Sequence, residues 1–175
     1  RKQIPTGLNF SLSGIPYWNT DIGGFFNWPY HGGAENKAYH ELYTRWFQYG
    51  TFLPMQRSHG SGVKKEIYNL GKKGDWVYDS EEKYINLRYA LLPYLYSTGW
   101  QVTDNAGSFL RALFMDFNED KKVHTISNQY MFGKAFLVTP VTRNMYVFSD
   151  KEQWKDPYED FSKTGTQDVY LPKGT

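Results

Sequence analysis

SGIPYWNTDIGGFF, residues 13–26, is the stretch on which the reading of the fold turns. Its first part, together with the residues from Leu8, is apolar and small, and it predicts a strand over residues 8–17. The pattern breaks at Asp21. Ile22-Gly23-Gly24 predicts a turn, because glycine takes positive φ and lets backbone approach a ligand closely. A carboxylate thus stands where a buried strand ends, with Trp18, Phe25 and Phe26 close in sequence. In a parallel α/β barrel such strand ends are where ligands bind. The spacing equally allows Asp21 to be a turn residue that hydrogen-bonds backbone two residues on.

Upstream, residues 1–7 read as the end of a helix stopped by Gly7. Downstream, residues 22–34 read as a loop. Residues 35–49 predict a helix: Tyr39, Leu42, Tyr43, Trp46 and Phe47 fall at i, i+3, i+4, i+7 and i+8, and Gly50 follows. TFLPMQ, residues 51–56, is a short apolar run, and RSHG comes next. In an extended segment residues i and i+2 point to one side, which sets Arg57 beside His59. Both are good donors to sugar hydroxyls, and the Arg can also hold a carboxylate in a fork. The same pair also reads as a surface Arg and a loop His.

Residues 61–78 form a Gly- and Lys-rich excursion, with Lys64-Lys65 read as solvated. Asp79, with Glu82 three residues on, predicts the capped start of a long helix with Tyr84, Leu87, Leu91 and Leu95 buried and a bend at Pro93. Glu41, Glu81 and Glu82 read as solvated helix faces, and Trp28, Trp46, Trp76 and Trp100 as packing residues. Strands are expected at 109–117, 135–141, 145–149 and 168–171. No helical period appears after about residue 133. A boundary is therefore expected near 134, with 1–133 in one unit and 134–175 in an all-β one.

The length of 175 residues suits about one domain with a real core. Aromatic residues make up 19%, which suits a sugar-binding surface as well as an aromatic core. A net charge of +2 is too small to argue for a nucleic-acid partner, and no run is long enough to span a membrane. There is no Cys, so disulfides and thiolate metal sites are excluded. His31, His40 and His124 have no metal-ligand spacing, and neither a phosphate-cradling loop nor a serine nucleophile elbow is present. The start at Arg1 and the stop at Thr175 fall in mid-pattern and suggest a piece of a larger protein.

Five blocks resemble glycoside hydrolase family 31 in the family's own order: SGIPYWNTDIGGFF, ELYTRWFQYGTFLPMQRSHG (41–60), YINLRYALLPYLYSTGW (84–100), FLRALFMDF (109–117) and QYMFGKAFLVTPV (129–141). The wording WNTDIGGF and the insert EIYNLGKKGDWVYD (66–79) most resemble the α-xylosidase branch. The resemblance implies an α/β fold: the C-terminal portion of a (β/α)8 TIM barrel followed by the start of an all-β sandwich domain. It implies a retaining hydrolase that removes α-linked xylose or glucose from the non-reducing ends of oligosaccharides, without cofactor or metal. It makes Asp21 a pocket carboxylate, His59 a donor to the innermost sugar and Arg57 its support. Trp18, Phe25 and Phe26 are candidates for the apolar wall.

A retaining glycosidase needs two carboxylates about 5–5.5 Å apart. The family's WxDMNE-like nucleophile block and GD acid/base block are both missing from this sequence, so no catalytic carboxylate is assigned here. The resemblance places both upstream of Arg1. A non-catalytic carbohydrate-binding protein on the same fold is the rival reading. Compartment and oligomeric state are not encoded in any motif present.

Overall fold

The computed structural model describes residues 1–163 and 165–173. Thr164, Gly174 and Thr175, part of the stretch expected to be all-β, lie outside the described residues.

The chain opens on a helix, α1 (Gln3–Leu12), where a helix end and then a strand over 8–17 were expected. Ile4, Gly7, Leu8 and Ser11 recur at helical spacing and form its buried face. Two of the four are not apolar, so hydrophobicity alone hides the stripe. Gly7 sits mid-helix because the Trp18 ring packs on it: a Cβ there would come 2.7 Å from Trp18 Cζ3. Gly14 is the actual stop, at φ +82°. Its N–H donates to the Ser11 carbonyl and that of Ile15 to Phe10, the paired bonds of a Schellman end. Residues 15–20 then run without strand pairing.

The next helix, α2 (Lys37–Thr51), is the one its aromatic face predicts, with Tyr39, Tyr43 and Phe47 buried. Asn36 caps it, its Oδ1 accepting from the N–H groups of Ala38 and Tyr39 at 2.9 and 3.2 Å. After it come α3 (Ile67–Leu70), α4 (Trp76–Ala90) and α5 (Leu92–Asn105). The start of α4 lies three residues ahead of Asp79, and Asp79 accepts instead from the Gly74 N–H. Pro93 does more than bend the expected long helix. Lacking an N–H, it stands in the first turn of a new helix, and the two meet at Leu91. The buried face of α4 is Val77 and Glu81, and of the expected stripe only Leu95 is buried.

A three-stranded antiparallel meander follows: β1 (Leu110–Ala112), β2 (Tyr130–Phe132) and β3 (Phe136–Val138). Phe132 stands opposite Leu110 on one side and Phe136 on the other. The strand expected over 109–117 is cut short by a helical turn, α6 (Leu113–Asp116), closed by a forked Arg111–Asp116 pair at 2.7 and 2.8 Å. This sheet straddles residue 134. Beyond it, β4 (Val147–Phe148) pairs antiparallel with β5 (Tyr158–Glu159). Residues 168–171 form no strand. The Gln129 amide takes the place of a neighbouring strand, exchanging two 3.0 Å bonds with the Tyr170 main chain.

Two apolar cores share α2. One gathers Ile4, Leu8, Tyr49, Leu95, Leu110 and Phe132, the other Ile22, Tyr39, Tyr43, Phe47 and Val77, and Trp46 touches both. Glu41, expected on a solvated face, is buried instead. Its carboxylate accepts from the N–H groups of Met145, Tyr146 and Val147 at 2.6, 3.0 and 2.8 Å and pairs with Arg45 at 3.3 Å. A helix side chain thus fixes the start of β4. Among the described residues no helix is long and apolar enough to cross a membrane.

Glu81, also expected to be solvated, has no exposed surface. Its Oε1 accepts the Thr44 hydroxyl at 3.1 Å, and its Oε2 has no protein partner. Burial pushes this carboxyl up to about 8, against the smaller downward pull of the Thr44 bond. The folded value lies above the unfolded one. The stability gained from the neutral form is therefore complete below the unfolded value and lost as pH rises through about 8. Glu81→Gln keeps the shape without the charge. Thermal midpoints should fall between about pH 5 and pH 9 in the wild type and flatten in the variant. Parallel curves would place the titrating group elsewhere.

Candidate functional site

Two segments meet where the sequence places its candidate residues. The first, 21–28, turns at Ile22-Gly23-Gly24, with the Gly24 N–H donating to the Asp21 carbonyl at 2.8 Å. Gly23 sits at φ +78°, and a Cβ there would lie 2.5 Å from Tyr43 Cδ2. The turn can therefore rest on α2 only as glycine. Ile22 is fully buried beside it, which leaves Asp21 half-buried at the rim.

The second segment, 57–65, has little apolar content, and polar groups hold it. The Ile22 N–H donates to the Arg57 carbonyl at 3.2 Å, and the Ser61 N–H to the Phe25 carbonyl at 2.8 Å. From below, the Tyr43 hydroxyl donates to the Lys65 carbonyl at 2.7 Å and accepts from Ser58 Oγ at 2.5 Å. Burial pushes the Tyr43 phenol well above its usual range, so it stays a neutral donor. Lys65, read as solvated from sequence, is buried, and its ammonium donates to carbonyls of both segments. Burial pulls its pKa down, and the negative charge of Asp21 acts in the opposite sense.

Among the expected residues, the structure gathers Asp21, Phe25, Phe26, Arg57 and His59 at this junction. The Phe25 ring stands edge-on to His59, centroids 5.4 Å apart, and edge-on to Phe26 at 4.7 Å. The side chains of Arg57 and His59 are exposed. Trp18 packs elsewhere, over Gly7 and stacked on Phe10 at 6.2 Å, as part of the first core. Trp28, expected in packing, is 76% exposed and stacks on Phe26 at 4.4 Å, extending the aromatic wall by one ring. Trp100 is likewise exposed, whereas Trp46 packs as expected.

The arrangement offers one carboxylate, an imidazole, a guanidinium and a row of flat apolar rings. That combination suits a neutral polyhydroxylated ring: donors and an acceptor for hydroxyls, aromatic faces for C–H surfaces. It does not supply two facing carboxylates, since Asp21 is the single acid within 21–28 and 57–65. Among the described residues no cluster of His, Cys, Asp and Glu could hold a metal ion.

Residues 1–98 match the TIM-barrel domain of glycosyl hydrolases family 31, and residues 106–175 match that family's C-terminal domain. The chain is 46% identical over 162 residues to the alpha-xylosidase of Saccharolobus solfataricus, covering 89% of the chain and 21% of that protein. It is 32% identical to the alpha-xylosidase XylQ of Lactiplantibacillus pentosus, over 98% of the chain and 19% of the relative. Among solved structures, the alpha-xylosidase of Xanthomonas citri superposes with a TM-score of 0.75 at 46% identity, over 81% of this chain and 16% of that one. The Flavobacterium johnsoniae dextranase, solved with glucose, gives 0.70 at 35% identity, over 81% and 17%. The chain thus spans about a fifth of the length of the relatives it matches. More than half of it lies in the barrel domain and most of the remainder in the C-terminal domain, so the chain belongs to glycosyl hydrolase family 31.

Proposed function

We propose that the chain is the sugar-binding wall of a longer retaining α-glycosidase that removes α-linked xylose or glucose from non-reducing ends. The observation that carries this is the junction itself. The segments 21–28 and 57–65 lie apart in the chain, yet Phe25 meets His59 ring to ring and the Asp21 turn bonds to the Arg57 main chain, beside an exposed aromatic row. The 46% identity to two alpha-xylosidases favours xylose over glucose. In this reading Asp21 accepts from sugar hydroxyls, His59 donates to them and Arg57 supports the pocket. Phe25, Phe26 and Trp28 form the wall, and Trp18 braces α1 from behind. The nucleophile and the acid/base come from segments upstream of Arg1. The substrate is an α-linked oligosaccharide.

If Asp21 lines the pocket, Asp21→Ala in the full-length enzyme removes a hydrogen bond to a charged group, a loss of about 1.5–3 kcal/mol or roughly 10- to 100-fold in kcat/KM. Nitrophenyl α-xyloside hydrolysis measures it, and an unchanged kcat/KM would remove Asp21 from the site.

Residues 1–175 by themselves should not release nitrophenol from either the α-xyloside or the α-glucoside, because the bond-breaking carboxylate pair is not among them. Turnover by the purified chain that disappears in Asp21→Asn would contradict both the binding role of Asp21 and the upstream location of the chemistry.

A further inference from the structure

We propose that Lys65 is a positioning residue for this pocket, its buried ammonium locking the Asp21 turn to the Arg57–His59 segment. The proposal rests on the sugar-pocket reading above and adds to it a residue that touches no sugar.

The geometry is a saturated one. An ammonium carries three donors and no acceptor. Lys65 Nζ meets three main-chain carbonyls: Ile22 at 3.1 Å, Gly24 at 2.5 Å and His59 at 2.7 Å. Two of these flank Gly23 in the first segment, and the third belongs to a proposed sugar-binding residue in the second. Lys65 is 8% exposed, so little of the side chain meets solvent. The chain is shaped to admit it. A Cβ at Gly60 would lie 2.5 Å from Nζ and 2.6 Å from the Phe25 carbonyl. The Tyr43 hydroxyl fixes the Lys65 main chain from the core side at 2.7 Å. Charge-assisted bonds of this kind are shorter and stronger than neutral ones. Without the ammonium, three main-chain carbonyls lose their donor and the two segments lose their shared anchor. Asp21, one residue from the Ile22 carbonyl, and His59 would no longer be held at a fixed separation.

The test is a double-mutant cycle in the full-length enzyme. Lys65→Met keeps the length of the stem and removes the donors. With Asp21 intact it should lower kcat/KM roughly 10-fold or more, since small misplacements of binding groups are costly. In the Asp21→Ala background the same change should cost less, because one of the two groups whose separation Lys65 fixes is already gone. A purely stabilising lysine would lower the thermal midpoint equally in both backgrounds and leave the two kinetic effects additive. Lys65→Arg is the second variant. It keeps the charge, but its larger fork spreads the donors over separate nitrogens and does not fit the point at which the single Nζ meets its three carbonyls, so it should show the same non-additivity at a smaller loss, about 3-fold or more. If the Met variant does not fold, the Arg pair decides.

Unchanged kcat/KM in the folded Lys65 variants, or losses that add to Asp21→Ala, would overturn the role of Lys65 while leaving the pocket intact. Unchanged kcat/KM in Asp21→Ala alone would overturn the pocket reading instead.

Discussion

A lysine ammonium buried among main-chain carbonyls is the constraint on which this site depends. The segments 21–28 and 57–65 carry neither helix nor strand, and few of their side chains enter a core. Their peptide groups still need partners, because an unpaired buried carbonyl costs as much as a lost hydrogen bond. Lys65 answers three of them at once. Tyr43 answers the Lys65 carbonyl in turn, from a helix whose own position is set by apolar burial. Order therefore passes from the α2 core, through one phenol and one ammonium, to the rim where Asp21 and His59 stand.

The same device recurs. Arg88 on α4 donates to the carbonyls of Thr51, Leu53 and Pro54 at 2.7, 2.6 and 2.9 Å, closing the end of α2 where the helix leaves them free. Glu41 is its acidic counterpart, collecting three consecutive N–H groups at the start of β4. Each is a long side chain on a helix, or just ahead of one, that orders irregular backbone. Removing one partner would leave a buried charge or several buried peptide groups exposed to no water, which is the costly direction. The barrel-derived helices can in this way present loops with a defined shape.

Much of this was legible in the sequence. The helical spacing of Tyr39, Tyr43 and Phe47 marked α2 to within two residues at each end, although the helix runs on through Gly50, the expected stop, to Thr51. The Asp-Ile-Gly-Gly turn and the RSHG segment were visible as loops, and the structure does bring them together. The strand over 8–17 was misread because α1 buries Gly7 and Ser11, which no hydrophobicity count rewards. Residues 15–20 carry the extended composition but no ladder, since pairing depends on neighbours rather than on local pattern. Glu41, Lys65 and Glu81 were read as solvated because charge is the stronger prior. Glu41 and Lys65 are held by peptide groups far off in the chain or across a turn, and Glu81 lies against the Thr44 hydroxyl of α2; a linear pattern carries no trace of either. Trp28 shows the converse, an aromatic residue expected inside that stands on the surface against Phe26.

The central claim is that a sugar sits between the two segments that Lys65 joins. A crystal structure of the full-length enzyme with xylose in its innermost subsite tests it most directly. The expected result places sugar hydroxyls within about 3.2 Å of both the Asp21 carboxylate and the His59 ring, with Lys65 still on its three carbonyls. Xylose bound out of reach of both side chains would contradict it.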